Sequence, residues 1–143
     1  MEYGEQQMKE LTEIYLLMER TDLLYVANEL VKNYKLPKTK VKFGNYSKQK
    51  GHTDKGGYNW DTDTINLNKS YDNVDDFIIT VLHEIHHAIQ VDKYGKTKFL
   101  KKYAQASNMA ELDGLDRYLA NKWEKKAENW AQQEYRKKWK GNF

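Results

Sequence analysis

Residues 73 to 95 constrain this chain more than any other stretch. Asn73 can cap a helix, Asp75 and Asp76 suit the positive end of its dipole, and Gly95 can stop it. Between them Phe77, Ile78, Val81, Leu82, Ile85, Ala88 and Ile89 recur with helical spacing and form one apolar stripe. At about 100° per residue, His83 and His87 fall nearly opposite that stripe. The spacing predicts a helix from Val74 to about Tyr94, buried along one side and carrying two histidines on the other.

Those histidines belong to His83-Glu84-Ile85-His86-His87, an H-E-x-x-H pattern. Imidazoles four residues apart on a helix lie one above the other and can share one metal ion, with Glu84 beside them to handle a proton. Zinc held this way keeps an open position for water and lowers its pKa to about 7. The expected chemistry is hydrolysis, most often of a peptide bond. His86 projects about 100° from His87 and is expected to support the helix rather than bind metal. His52, in a Gly-rich stretch, reads as a surface residue that would matter only if its loop folded over the site.

Composition narrows the third ligand. Cysteine is absent, which excludes a thiolate site, a disulfide framework and a thiol nucleophile. With four histidines in all, a carboxylate is the expected third donor. Glu124 and Glu128 lie four apart in Asn121-Lys122-Trp123-Glu124-Lys125-Lys126-Ala127-Glu128. One carboxylate can reach zinc while the other accepts the N–H of a ligating imidazole. Other readings stay open. Asn121 and Glu124 also fit a capping pair, Glu128 also fits a solvated helix face, and Glu111, Asp113 and Asp116 are further carboxylates if the register differs. Tyr94, Tyr103 and Tyr118 are candidate donors to a developing oxyanion.

The remaining elements follow from pattern. Residues 5 to 34 read as two helices, with a break and new cap at Thr21-Asp22, and Pro37 ends the second. Lys40 to Tyr46 alternates as a strand. Tyr58 to Trp60 and Thr64 to Leu67 flank Asp61-Thr62-Asp63 as a hairpin. Met109 to Ala120 is predicted as a short helix weakened by Gly114, and Lys122 to Trp139 as the last helix, with Trp123, Ala127, Trp130, Ala131 and Tyr135 inward. A chain of 143 residues suits one domain. The expected layout is N-terminal helices over 1–36, a sheet over 40–68, the motif helix over 73–94 and C-terminal helices over 109–140.

The chain resembles the gluzincin metallopeptidases, in particular their small minimal members and the ImmA/IrrE-like group. The residues that carry this are Thr64-Ile65-Asn66-Leu67-Asn68, Thr80 to Ala88 around the H-E-x-x-H pattern, and the Asn-x-x-Glu-x-x-Ala-Glu-x-x-Ala segment over 121–131. Lys122 and His86 stand where such families often have Pro and a small residue. The resemblance implies a zincin-like α+β fold with a small, mostly antiparallel sheet and an H-E-x-x-H active-site helix. It implies Zn2+ held by His83, His87 and Glu124, Glu84 as general base, and Glu128 supporting a ligand histidine. A peptide or protein is the expected substrate, and the strand at Thr64 to Leu67 is expected to pair with it.

Two rival readings use the same residues. One is a noncatalytic zinc-stabilised interaction module with a basic surface; the other is a latent peptidase whose own terminus covers its cleft. Net charge is only +3, and the seven lysines of Lys32 to Lys50 and five of Lys93 to Lys102 are separated by acidic Asp61 to Asp76. That arrangement predicts no specific nucleic-acid binding. No run of apolar length spans a membrane, and the N-terminus lacks a signal pattern, so a soluble intracellular protein is expected.

Overall fold

A computed structural model describes residues 20–44, 55–68 and 71–141. The described elements are α1 (Arg20–Asn33), β1 (Lys40–Phe43), β2 (Gly56–Asn59), β3 (Thr64–Leu67), α2 (Val74–Tyr94), α3 (Lys96–Leu112), α4 (Lys122–Glu134) and a π-helical turn, Tyr135–Trp139. This is a small α+β arrangement of four helices and a three-stranded mixed sheet. His52, the Gly51 turn, the end of the predicted first strand and most of the first predicted helix lie outside the described residues. Thr21 and Asp22 fall inside α1, so the expected break is not at those positions.

The sheet order is β1-β3-β2. β2 and β3 form the expected antiparallel hairpin, with Tyr58 opposite Ile65. β1 runs parallel to β3, with Val41 opposite Ile65. The sheet is therefore mixed rather than mostly antiparallel. A parallel partner needs a crossover connection, and here the chain between β1 and β3 supplies it by carrying β2 to the far edge first. β3 is consequently central, and both its edges are occupied. It cannot pair with a substrate, contrary to the expectation from sequence; the outer edge of β2 can.

α2 forms as its sequence dictates. The Asn73 side chain accepts from Asp76 N–H, and the Gly95 N–H closes the last turn on Val91 O. Phe77, Val81, Leu82 and Ile85 are fully buried against Ile65 and Leu67 of the sheet and Leu30 of α1 within one core. Burying each such side chain is worth about 1.5–3 kcal/mol. Glycine at 56 lets β2 lie close to this helix: a Cβ there would stand 3.2 Å from Thr80 Cγ2 and 3.0 Å from Asn66 O, tight enough that its neighbours would have to give way.

The C-terminal third differs from expectation. The helix predicted over Met109 to Ala120 is instead α3, which begins directly after Gly95 and ends at Leu112. Gly114 does not weaken a helix; it ends one. At φ 76° its N–H bonds Glu111 O, while Leu115 N–H bonds Ala110 O, the paired closure of a left-handed C-terminal cap. The buried face of α3 is Phe99, Ala106, Ser107 and Ala110, mostly small residues that make a weak apolar stripe. The last predicted helix splits into α4 and the π-helical turn, with Trp123, Ala127, Ala131 and Tyr135 buried as predicted and Trp130 half-buried. The turn is clamped to Tyr34, the residue that follows α1. Trp139 Nε1–H donates to Tyr34 Oη at 2.9 Å, and Tyr34 O–H donates to Glu134 Oε2 at 2.5 Å.

Candidate metal centre

α2 and α4 face each other, and their polar side chains meet at one point. His83 Nε2 lies 2.9 Å and His87 Nε2 2.8 Å from the same atom, Glu124 Oε1. His83, His87 and Glu124 are the group of described residues whose donor atoms are placed to hold a metal ion. His87 and Glu124 are buried. The face that carries the histidines is thus covered by α4, not left open along its length.

The hydrogen bonds behind these three atoms decide what they can do. Gln90 Nε2–H donates to Trp123 O at 3.3 Å, which turns Gln90 Oε1 toward His87 Nδ1 at 2.9 Å. His87 Nδ1 must then carry the proton. His83 Nδ1 lies 2.8 Å from Glu128 Oε2, an oxygen that only accepts when ionised. The hydrogen bond to His83 holds the Glu128 carboxyl below its ordinary range, against the effect of burial, so it is ionised. Each neutral ring therefore presents a bare Nε2 lone pair to Glu124 Oε1. Three electron-rich atoms in contact are stable only around positive charge, supplied by protons or by a cation. A four-coordinate ion with bonds of about 2.0 Å sets its ligands roughly 3.3 Å apart. The contacts of 2.9 and 2.8 Å to Glu124 Oε1 are shorter than this and all three donor atoms lie within 4.8 Å of one another, so modest shifts would bring them around one ion.

The electrostatics agree. Burial works against a charged His83, but the hydrogen bonds to Glu124 and Glu128 outweigh it and push its pKa up to about 10 in the metal-free chain. His87 is raised likewise: burial opposes, and Glu124 prevails. Burial would raise Glu124, yet the two imidazoles hold it far below the carboxylate range. The site is built to concentrate one negative oxygen against two basic nitrogens.

Other candidates fall into place around it. Glu124 does not reach back to its helix cap; Asn121 alone caps α4, accepting from Trp123 N–H at 2.8 Å. Tyr103, offered by sequence as an oxyanion donor, instead donates to Glu124 Oε2 at 2.6 Å. Burial and the Glu124 charge raise its phenol well above the ordinary value, so it stays a donor. Tyr94 packs on Phe99 and Trp123, away from this point. His86 stacks on Trp130 with centroids 4.8 Å apart, and its Nδ1 is buried without a partner. Burial, with the charges of His87 and His83 adding to it, lowers its pKa to about 4. It plugs nothing. Glu111 pairs with Arg117, and the Asp116 carboxylate accepts from Tyr118 and Leu119 N–H at 2.8 Å. Neither belongs to the centre, nor does Asp113. Sequence reasoning missed Gln90, although its i, i+3 spacing from His87 was a readable signal.

Glu84 occupies the remaining corner. It is buried but borders a cleft of about 500 Å³, whose wall also includes His83, Glu124, Gly56, Tyr118 and Leu119. Burial raises its pKa, and the neighbouring imidazoles pull the other way. A carboxylate made more basic, bordering the same open space as His83 and Glu124, suits proton transfer.

Lysines gather on the opposite side of α4. Lys93 and Lys102 sit 5.3 and 5.4 Å over the Tyr94 ring, and Lys122 and Lys126 sit 5.0 and 4.8 Å over Trp123. Folding thus joins the 93–102 run to the lysines of α4. No helix among the described residues is long and apolar enough to cross a membrane. Comparison with protein-family models, curated proteins and solved structures finds no match to the chain.

Proposed function

We propose that this chain is a zinc-dependent metallopeptidase of the minimal gluzincin type, with a zincin-like arrangement of sheet, motif helix and ligand-bearing C-terminal helix. The observation that carries this reading is the placement of Glu84 on the same cleft as His83 and Glu124, with His87 buried directly behind on the shared Glu124 oxygen. Two imidazole nitrogens and one carboxylate oxygen, with no cysteine, form a donor set suited to catalytic zinc, and three ligands leave a fourth position open. Bound zinc supplies Lewis-acid polarisation of the scissile carbonyl and of water.

The chain's own residues do the rest. Glu84 takes the proton of the attacking water on its carboxylate and passes it to the departing amine. Glu128 and Gln90 hold the two rings by their Nδ1–H groups, so that both Nε2 atoms stay aimed at one point. Tyr103 holds Glu124 by the oxygen that faces away from the imidazoles. On β2, Lys55 O accepts from Asn68 N–H, and with the observed register this sets Gly57 and Asn59 toward β3. The backbone groups of Gly56 and Tyr58 therefore point to the outer edge, where an extended peptide can add as a strand beside the cleft. Tyr118, on the cleft wall, is the tyrosine in position to meet a substrate oxygen.

The test is cleavage of a peptide library by the purified protein, with metal content measured in parallel. The expected result is one equivalent of zinc, cleavage lost on chelation and restored by zinc. A protein that holds zinc but cuts no peptide would favour the interaction module instead.

Glu128→Ala is expected to weaken zinc binding about 10–100-fold, the usual cost of losing a partner behind a ligand. Competition with a chelator of known affinity measures it; a change under about twofold would return Glu128 to the solvated face.

The lysines around Tyr94 and Trp123 favour weak attachment to polyanions. Trp123 is buried and both rings are covered by ammonium groups, so no stacking platform for bases exists there. Labelled single- and double-stranded DNA and RNA are expected to bind without sequence preference and weaker than about 1 μM at about 150 mM salt. Submicromolar binding would raise the interaction module above the peptidase.

A further inference from the structure

Residues 109 to 119 expose apolar surface to a degree found nowhere else among the described residues. Met109 is 59%, Leu112 81%, Leu115 55% and Leu119 58% accessible. Apart from these four, Tyr25 is the one large hydrophobic residue described as exposed. Four exposed apolar side chains within one short segment are the kind of surface that is often functional on a monomer.

The segment is not a slack loop. The paired closure around Gly114 turns Leu115 back toward Ala110. Asp116 Oδ1 caps Tyr118 and Leu119 N–H, Ser107 O–H donates to Arg117 O at 3.0 Å, and Arg117 pairs with Glu111. Each turn of backbone has a fixed partner, so the apolar side chains are displayed on a rigid support. Preorganised display of this kind lowers the ordering cost of binding.

The patch is continuous with the metal cleft. Leu119 and Tyr118 belong to the cleft wall itself, and Leu115, Leu112 and Met109 are exposed in the same rigid segment that leads to it. Charge limits the occupant as well. The lip carries Glu111, Asp113 and Asp116 against Arg117 alone, so it offers apolar contact within a mildly acidic surround and disfavours an acidic occupant. We propose that this lip is an extended substrate-binding surface. It takes apolar side chains of a polypeptide several residues from the bond to be cut. The substrate class that follows is an unfolded or extended polypeptide with exposed apolar side chains, rather than a short polar peptide. This rests on the peptidase reading for cleavage but not for binding.

The test uses the zinc-loaded Glu84→Gln protein, which cannot consume its ligand, and two labelled peptides of about 14 residues, roughly 45 Å when extended. One carries leucines through its length; the other has serine at each of those positions. Fluorescence anisotropy is measured with the parent and with added Leu112→Ser and Leu115→Ser, two substitutions off the cleft wall. The expected result is about tenfold weaker binding of the leucine peptide by the substituted protein, with the serine peptide unaffected. In the protein with Glu84 intact, the same pair should raise KM for the leucine peptide about tenfold and leave kcat unchanged. Equal binding of both peptides by the parent, or no loss on substitution, overturns the lip. A parent that self-associates, with the substituted protein monomeric by sedimentation, also overturns it, because the occupant is then a second copy. Preferential binding that disappears on substitution, without any cleavage when Glu84 is intact, would sustain the lip and sink the peptidase reading. Thermal melting should match between parent and substituted proteins, since both side chains are more than half exposed.

Discussion

A Glu84→Gln variant is expected to keep its zinc and lose peptide hydrolysis by roughly 10³–10⁴-fold. The substitution preserves shape and removes the basic oxygen. The Glu84 carboxylate accepts no hydrogen bond from another described residue and ligates nothing in the proposed site, so its loss should leave the donor triad intact. Its carboxyl is also raised by burial, which means that the amide replaces a group tuned toward proton transfer, not a charge that holds the fold. Folding should be close to neutral, because burial penalises the Glu84 carboxylate while the neighbouring imidazoles favour it. The measurement is kcat/KM on a peptide cleaved by the native protein, alongside zinc stoichiometry. Cleavage within about tenfold of native would remove Glu84 from the mechanism.

Glu124→Ala should have the larger structural effect. It removes one of three proposed ligands and is expected to weaken zinc binding by at least ~10³-fold, about one ligand's share of a typical protein–zinc free energy. It also strips partners from three buried or half-buried groups: both Nε2 atoms and the Tyr103 hydroxyl. Each orphaned polar group costs about 1–3 kcal/mol, so the metal-free variant should melt several degrees below the metal-free parent. Glu124→Gln separates the two effects, since an amide can still meet Tyr103 while its oxygen ligates poorly. Equal zinc affinity in Glu124→Ala and parent would show that another residue completes the site.

Much of the centre is legible in the sequence, for a physical reason. Helical periodicity and caps are local, so Asn73, Gly95 and the stripe between them bound α2 correctly, and the i, i+4 histidines came with it. The hairpin was equally local, set by Asp61 to Asp63 between two β-prone runs. What failed was non-local. Nothing in Thr64 to Leu67 says that β1 takes its other edge, which is why a central strand was mistaken for a substrate-pairing one. α3 is hard to read because its buried face is mostly small, Ala106, Ser107 and Ala110, and nothing local distinguishes Gly114 as a weak helix residue from Gly114 as the positive-φ terminator it is. Glu124 could be proposed from the resemblance, but its choice over a capping role needed the contact between α2 and α4, across about 40 residues of chain. Gln90 and Tyr103 had no comparable signal that would single them out as supports, beyond Gln90's spacing from His87.

The central claim is that His83, His87 and Glu124 hold one zinc ion at the cleft that Glu84 borders. X-ray absorption at the zinc edge on the zinc-loaded native protein, compared with Glu124→Gln, tests it most directly. The expected result is a first shell of two imidazole nitrogens and oxygen donors at about 2.0–2.2 Å, with one oxygen altered or lost in the variant. A shell with three or four imidazoles, or one unchanged by Glu124→Gln, would contradict it.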